Sequence, residues 1–350
     1  MKLSRDELKG LMKNKLMKAG LSAEHADMTA EILTWSDERG YHSHGAVRVE
    51  YYSERIAKGG ITVDPKFEWK ETGPCSAIFE GDNGCGYVAA TLAMEKAIEM
   101  AKKTGIAVVG MRNISHSGSI GYYTEMAAKQ DLVAISFCQS DPMAVPYGGT
   151  EPYYGTNPIS FAARLRMTGR WYSIWLPQSR HGARFWINGP GMNHIPDSWA
   201  VDEKGQPVTD PSLVNALVPI AGAKGYGLMM MVDIFAGILL GVPFGKHVSS
   251  MYHDLSEGRN LGQIHIVMDP SRFVGLDAFK KSMSQSLDEL GEMPAAEGFG
   301  KVSYPGERAV MRRDKAYATG GVEIVDEIYD YLVSDTIHFD RYDHKNRFAE

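Results

Sequence analysis

The spacing of the apolar residues changes near residue 70, and this change constrains the fold more than any other feature of the chain. Residues 1–70 carry apolar side chains at helical spacing, whereas later in the chain short apolar runs alternate with helical stretches. These runs cover residues 77–79, 106–111 and 132–138. Because strands that alternate with helices are typical of α/β layers, we expect a helical first part followed by an α/β domain.

Helix signals divide the first part into three segments. Ser4-x-x-Glu7 is a capping box that opens a helix, and Gly20 follows as its stop. A second helix is predicted over residues 22–40, and a third helical segment ends at Gly59. All 70 residues are therefore expected to be helical or to connect helices.

The last third of the chain continues both patterns. Residues 228–241 are apolar nearly all round, which is typical of a buried helix. The other predicted elements are a strand and tight turn at 200–207, a strand at 263–268, a helix at 276–290 and the start of one more helix at 304–307. A chain of 350 residues exceeds what one core usually holds, so we expect two domains, or one large domain with an appended layer.

Charge and composition exclude several classes of protein. The formal net charge is −6 and no stretch concentrates the Lys and Arg that follow a phosphate backbone, so nucleic acid is not expected as a partner. Cys75, Cys85 and Cys138 are odd in number and far apart, which indicates neither disulfides nor a thiolate metal site. The N-terminus lacks an apolar signal region, and the stretch 228–241 contains Asp233 and is too short to span a bilayer. We expect a cytoplasmic protein with no membrane partner.

His44, Arg48 and Tyr52 recur every four residues, so a helix would place them on one face. The planar guanidinium of Arg48 matches a carboxylate, which predicts a site for an acidic substrate. A solvated helix face accounts for the same pattern equally well. His42-x-His44 is also a candidate metal chelate, but no Asp, Glu or Cys at ligand spacing completes the set, so no metal is expected.

His116 follows the predicted strand at 106–111 and precedes a helix. This places it at the carboxyl end of a strand, where open α/β sheets bind their ligands. An imidazole titrates near neutrality, which suits it to take a hydroxyl proton while hydride leaves the adjacent carbon. An ordinary polar loop between strand and helix is the alternative interpretation.

Three further loops are candidate cofactor contacts. Ser140 follows the strand at 132–138, at the same edge and one strand over, where a cofactor hydrogen bond and the simple closing of a turn are both consistent with it. Asn157 lies in a second tight polar turn. Residues 305–308 start a helix whose free N–H groups suit a phosphate or a ribose. Gly84-Cys85-Gly86-Tyr87-Val88-Ala89 matches a dinucleotide fingerprint superficially, but the next strand ends without the Asp or Glu that takes the ribose, so close helix packing at small residues is the favoured interpretation.

The order of these segments along the chain is itself informative. The segments are His42-Ser43-His44-Gly45-x-x-Arg48, the His116 loop, Tyr154-Gly155-Thr156-Asn157-Pro158 and Lys224-Gly225-Tyr226-Gly227. Together they resemble the malate/L-lactate dehydrogenase-like oxidoreductases, which are distinct from the Rossmann-type lactate and malate dehydrogenases. The resemblance covers nearly the whole chain.

The resemblance implies a fold and a site. The fold is α/β, with a helical domain assembled from both chain ends and a central mixed-sheet cofactor domain that is not a Rossmann fold. In this chain the implied division is a first helical part at 1–70, the cofactor domain at 71–222, and a remainder at 223–350 that completes both. His116 is implied as proton acceptor, with substrate contacts at His44, Arg48 and Tyr52. The implied cofactor contacts are Ser140, Asn157, Lys224, Gly306, Glu307 and Arg308.

The resemblance also implies an activity. Residues 72–78, 138–143 and 248–252 are most similar to the members of the family that oxidise (S)-ureidoglycolate to oxalurate with NAD, in allantoin and purine breakdown. A homodimer is implied, and the choice of NAD over NADP is left open because the acidic Rossmann marker is missing. Another 2-hydroxy acid or keto acid substrate, such as malate, lactate, sulfolactate or a sugar-derived acid, is the alternative within the family. A histidine-based metal hydrolase is an alternative from another class.

Residues 163–194 depart from the family pattern, which resumes at Ile195 with no change in length. The family has here a strand ending in Asp-Met-Ala, which contacts the cofactor. Suitable codons for residues 172–188, read from the third base of each, encode Phe-Asp-Met-Ala-Thr-Thr-Val-Gln-Ala-Trp-Gly-Lys-Val-Leu-Asp, which is family-like. We therefore hypothesise two compensating frameshifts, near residues 164–170 and 188–193. A sequencing error leaves the cellular enzyme intact, whereas a real shift predicts an inactive relative.

Overall fold

A computed structural model gives the structure of residues 1–164, 170–175 and 194–343. The strands are β1 (Lys2–Leu3), β2 (Glu68–Gly73), β3 (Ser76–Glu80), β4 (Ile106–Ile114), β5 (Val133–Cys138), β6 (Ile159–Arg164), β7 (Arg170–Trp175), β8 (Ala200–Val201), β9 (Ala216–Leu217), β10 (Leu261–Met268) and β11 (Val322–Glu323). The helices are α1 (Arg5–Ala19), α2 (Ala23–Glu38), α3 (Arg48–Ala57), α4 (Gly86–Thr104), α5 (Gly121–Lys129), α6 (Ala223–Ala236), α7 (Leu276–Glu292), α8 (Glu307–Ala318) and α9 (Asp326–Val333).

Helix α1 begins and ends where the sequence predicts. The Ser4 backbone N–H donates to the Glu7 carboxylate at 2.9 Å, and the Glu7 backbone N–H donates to the Ser4 hydroxyl, so both halves of the capping box are present. Gly20 follows the last turn with φ 127°, in the region that favours glycine. Two strands interrupt the expected all-helical first 70 residues, because β1 and the start of β2 pair with partners elsewhere in the chain.

Both chain ends meet in the helical part of the fold. Strand β1 pairs antiparallel with β11, and Ile324 donates its N–H to the carbonyl of Met1 at 2.8 Å. Helices α1 and α9 also pack against each other. The helical domain is therefore built from residues more than 300 positions apart, as the resemblance implies.

The central sheet has the strand order β2-β3-β4-β10-β5-β6-β7. Strands β3 and β4 are parallel and the other neighbours are antiparallel, so the sheet is mixed and its order is not that of a Rossmann fold. The predicted fold class, an α/β protein with a mixed cofactor-domain sheet of its own type, is confirmed.

Strand β10 occupies the centre of this sheet. Side chains alternate along it: Gln263 and His265 face the layer of α4 and α5, whereas Ile264 packs with Val232 and Ala236 of α6. The sheet is thus covered on both faces, which explains why most of β10 is buried.

The position of β10 corrects one expectation. Strands β4 and β5 run in the same direction, so the loops after them lie at one edge of the sheet as predicted. They are not neighbours, however, because β10 pairs antiparallel with both and stands between them. The loops that carry His116 and Ser140 are consequently two strands apart, and the segment before β10 enters between them.

Helix α6 is buried on one face only. Met229, Val232 and Ala236 are fully buried, while Ile234 and Ile238, at and beyond the helix end, are 43% and 52% exposed. The expectation of an all-round buried helix is wrong for this reason: the sheet covers a single side. By length and composition alone, residues 223–240 form a candidate membrane span, and just over a third of that stretch is buried inside the protein.

The predicted departure from the family pattern falls largely outside the described residues. Strand β7 pairs antiparallel with β6, with Arg170 opposite Arg164. Residues 165–169 and 176–193 are not described, so the frameshift hypothesis lies outside the part of the chain that the structure covers.

Gly262 of β10 lies where α6 crosses the sheet, and a Cβ atom there would lie 1.8 Å from the carbonyl oxygen of Ala236. We expect Gly262→Ala to lower the free energy of unfolding by about 1–3 kcal/mol, because backbone must move. The matched control is Gly10→Ala in α1, where nothing lies within 4 Å of the added methyl group. This control should gain about 0.5–1 kcal/mol. Urea unfolding midpoints test both, and an unchanged midpoint for Gly262→Ala would contradict the close approach of α6.

Candidate active site

The Asp37 carboxylate shapes the loop that precedes α3. It accepts the backbone N–H of Ala46 at 2.7 Å and lies 2.9 Å from Nδ1 of His42. A Cβ atom at Gly45 would lie 2.1 Å from the same carboxylate, so only glycine fits at this point of the loop. The loop is held close to the buried end of α2.

This loop corrects the predicted helix face of His44, Arg48 and Tyr52. His44 belongs to a short 3₁₀ turn at His42–His44, and α3 begins only at Arg48, because the chain breaks its helical path at Gly45. The three side chains still converge on one place. The His44 and His116 rings have centroids 5.9 Å apart, and the Tyr52 ring stacks on that of His116 at 6.1 Å.

His116 is fixed through one ring nitrogen. The hydroxyl of Tyr52 lies 2.6 Å from Nδ1 of His116, and the Tyr52 side chain is almost fully buried. Within the described residues no protein group hydrogen-bonds Nε2 of His116. The nitrogen opposite Tyr52 is therefore the one left without a hydrogen-bond partner among the described residues.

Arg48 places a buried positive charge beside this histidine. Its Nε donates to the carbonyl of Ser43 and its Nη1 donates to the hydroxyl of Tyr252, each at 2.7 Å. The residue is 8% exposed, so its charge acts in a medium of low dielectric constant. Such a guanidinium attracts a carboxylate.

The electrostatic surroundings keep His116 neutral. Burial holds the pKa of His116 well below its usual value of 6.5, and nearby His44 and Arg48 lower it further. The guanidinium of Arg259 adds to this effect. A neutral imidazole at neutral pH is able to accept a proton.

Arg259 and Asp141 form a buried ion pair near His116 that the sequence analysis did not identify. Arg259 precedes β10, is 1% exposed and donates from Nη2 to the Asp141 carboxylate at 2.6 Å. Asp141 also accepts the backbone N–H of Met251, next to Tyr252. The only local signal was Asp141 in the polar run after β5; nothing near Arg259 in sequence marks it.

The first group of predicted cofactor residues consists of Ser140, Asn157 and Lys224. The hydroxyl of Ser140 lies 2.9 Å from that of Thr156 and accepts the backbone N–H of Asn157. The Asn157 side-chain amide donates to the carbonyl of Met229 in α6 at 2.9 Å, and Lys224 lies in the first turn of that helix. Gly155 allows the approach, since a Cβ atom there would lie 2.1 Å from the carbonyl oxygen of Ser140.

The second group lies at the start of α8. Gly306 precedes this helix with φ 91°, and Glu307 accepts the Lys301 ammonium at 2.6 Å. Ala309, one turn on, packs with Trp35, Ala128 and Ala162. The start of α8 thus packs through Ala309 against α2, α5 and β6, whereas Asn157 contacts α6 and Lys224 belongs to it.

A metal site is not formed by the candidate histidines. His42 is hydrogen-bonded to Asp37, and among the described residues no cluster of three His, Cys, Asp or Glu side chains is positioned to hold a metal ion.

Comparison with known proteins identifies relatives along the whole chain. The profile of the family described as malate/L-lactate dehydrogenase matches residues 3–171 and 190–333. The unmatched residues 172–189 lie inside the stretch where the sequence departs from the family pattern. The ureidoglycolate dehydrogenase (NAD(+)) of Escherichia coli strain K12 is 51% identical over 354 aligned positions, covering 100% of both chains.

Solved structures agree with the sequence comparison. Sulfolactate dehydrogenase from Methanocaldococcus jannaschii superposes with a TM-score of 0.88 at 32% identity and 95% coverage of each chain. Malate dehydrogenase from Pyrococcus horikoshii OT3 superposes with a TM-score of 0.85 at 30% identity, covering 95% of this chain and 93% of that one.

The contact between His42 and Asp37 predicts a pH dependence of stability. The hydrogen bond between these two side chains raises the pKa of His42 above 6.5. The protonated form therefore stabilises the fold fully below pH 6.5, and this contribution is lost as pH rises through the raised pKa. We expect the difference in thermal midpoint between wild type and His42→Asn to shrink as pH rises. Exposed His247 provides a control, His247→Asn, and a difference that grows with pH would contradict the assignment.

Proposed function

Because the chain belongs to the malate/L-lactate dehydrogenase family, we propose that it oxidises a small 2-hydroxy acid with NAD as hydride acceptor. The proposed substrate is (S)-ureidoglycolate and the product oxalurate, supported by the 51% identity to a ureidoglycolate dehydrogenase (NAD(+)). A cytoplasmic homodimer, as the sequence implies, is part of this proposal.

One observation carries the proposal: a neutral imidazole, His116, stands at the carboxyl edge of the sheet beside a buried guanidinium. Oxidation of a hydroxy acid requires both groups. The base removes the hydroxyl proton, and the cation holds the neighbouring carboxylate in place.

Four side chains carry the proposed reaction. Arg48 binds the substrate carboxylate, and the ring of His44 lies beside that of His116. Nε2 of His116 accepts the hydroxyl proton while the C–H bond on the same carbon breaks and the carbonyl forms. Tyr52 lies in the substrate site and keeps the His116 ring in place through Nδ1.

The cofactor residues fit a dinucleotide by their chemistry. Oδ1 of Asn157 is buried and has no partner within the described residues, so it is available to a ligand donor. Lys224 and Arg308 provide cations for phosphates, and Ser140, Gly306 and Glu307 provide polar contacts for the sugar and amide parts. When bound, NAD supplies the acceptor for the hydride.

The proposal is tested first by turnover. The native gene is resequenced and expressed, the intact mass of the protein is measured, and NAD reduction is followed with (S)-ureidoglycolate, malate, lactate and sulfolactate. We expect the highest kcat/KM with (S)-ureidoglycolate. A preference for another of these acids would reassign the substrate within the family.

The same measurements distinguish an active enzyme from an inactive relative of the family. A mass that matches the family-like reading of residues 172–188, together with turnover, would make the departure a sequencing error. A mass that matches the present chain, without turnover or NAD binding, would mean that the gene is damaged and that the activity was its ancestor's.

His116→Gln tests the proton acceptor. We expect kcat to fall roughly 10²–10⁴-fold, which is the usual contribution of a general base, while thermal stability stays near that of wild type. His247→Gln, on the exposed surface, is the control.

In wild type the acid limb of kcat/KM should lie below pH 6.5, because burial depresses the pKa of His116. An acid limb at or above this pH would argue against His116 as the base.

A further inference from the structure

Tyr87 has no role in the site described so far, yet it is joined to His116. It is the second residue of α4 and is 1% exposed. Its hydroxyl lies 2.9 Å from that of Tyr52, which in turn lies 2.6 Å from Nδ1 of His116. We call this set, Tyr87, Tyr52 and the His116 ring, the tyrosine column.

Two glycines make the tyrosine column possible. A Cβ atom at Gly86 would lie 2.1 Å from the carbonyl oxygen of Ser115, so the start of α4 rests directly on the His116 loop. Gly118 has φ 70°, and a Cβ atom there would lie 2.3 Å from the Tyr87 ring. The Gly84-Cys85-Gly86 segment, which superficially matches a dinucleotide fingerprint, therefore packs against this loop.

Hydrogen-bond counting shows why a second tyrosine matters. Each phenol has one hydrogen to donate. If Tyr52 donates to Nδ1 of His116, the single proton of the neutral ring sits on Nε2, which then cannot accept the substrate proton. If Tyr52 donates to Tyr87 instead, Nδ1 carries the ring proton and donates to Tyr52, and Nε2 is left with a free lone pair.

We propose that Tyr87 is a positioning residue for the oxidation: by accepting the hydrogen of Tyr52 it selects the tautomer of His116 in which Nε2 is the base. This inference rests on the proposed function, in which Nε2 of His116 accepts the hydroxyl proton. Tyr87 touches neither substrate nor cofactor and acts through Tyr52 alone.

The protonation of the two phenols supports the assignment. Burial raises the pKa of Tyr52 and that of Tyr87 far above the usual phenol value of 10.0. Both hydroxyls therefore keep their hydrogens at any working pH, so they set the direction of the hydrogen bonds and do not compete with His116 as bases.

The matched variants are Tyr87→Phe and Tyr123→Phe. Tyr123 is also fully buried and donates its hydroxyl to the carbonyl of Ser117 at 2.6 Å, so it contacts the same loop from outside the tyrosine column. Loosening of the loop affects both variants, whereas only Tyr87→Phe removes the acceptor for Tyr52.

We expect Tyr87→Phe to lower kcat about tenfold, as the loss of one buried hydrogen bond in the transition state would do. Its KM should change less than about twofold, since substrate binding is untouched. Tyr123→Phe should keep kcat within about twofold of wild type. Equal kcat losses in the two variants would overturn the proposal and leave the proposed function standing.

A second measurement does not depend on turnover. Nitrogen-15 NMR of histidine-labelled protein without ligands distinguishes the two neutral tautomers of His116, whose signals are assigned with His116→Gln. We expect the Nδ1–H tautomer in wild type and in Tyr123→Phe, and a shift towards Nε2–H in Tyr87→Phe. An Nε2–H tautomer in wild type, or none of this shift in Tyr87→Phe, overturns the proposal even if the chain proves inactive.

Discussion

Strand β10 hydrogen-bonds to β4 on one side and to β5 on the other, and the candidate site depends on this double pairing. It places the segment that carries Arg259 between the His116 loop and the Ser140 loop. The side-chain carbonyl of Gln263 accepts the hydroxyl of Ser117, which ties the His116 loop to the strand itself. Without β10, no strand would join β4 to β5 and hold their two loops at the same edge of the sheet.

Two buried guanidinium groups lie near His116. Arg259 is paired with Asp141, and Arg48 donates to the Ser43 carbonyl and to the Tyr252 hydroxyl. Burial strengthens the field of both groups, because the surrounding medium has a low dielectric constant. This field contributes to the lowered pKa of His116, and the proposed binding of a carboxylate at Arg48 depends on it as well.

The sequence predicted what local rules determine and missed what distant contacts determine. The capping box at Ser4, the loop position of His116 and the mixed α/β class follow from neighbouring residues and motif order. The helix face of His44 failed because Asp37, seven positions away, bends the chain at Gly45. Tyr87 and Arg259 carried no local signal, since their partners are 35 and 118 positions distant in the chain.

The central place of β10 has a consequence for biosynthesis. Strands β4 and β5 leave the ribosome more than 120 residues before the strand that joins them, so the sheet cannot close until about three quarters of the chain has emerged. Until then both strands present unpaired edges, which are templates for aggregation. Contacts of such sequence separation slow folding, so these two edges stay open for most of the time that the chain is being synthesised.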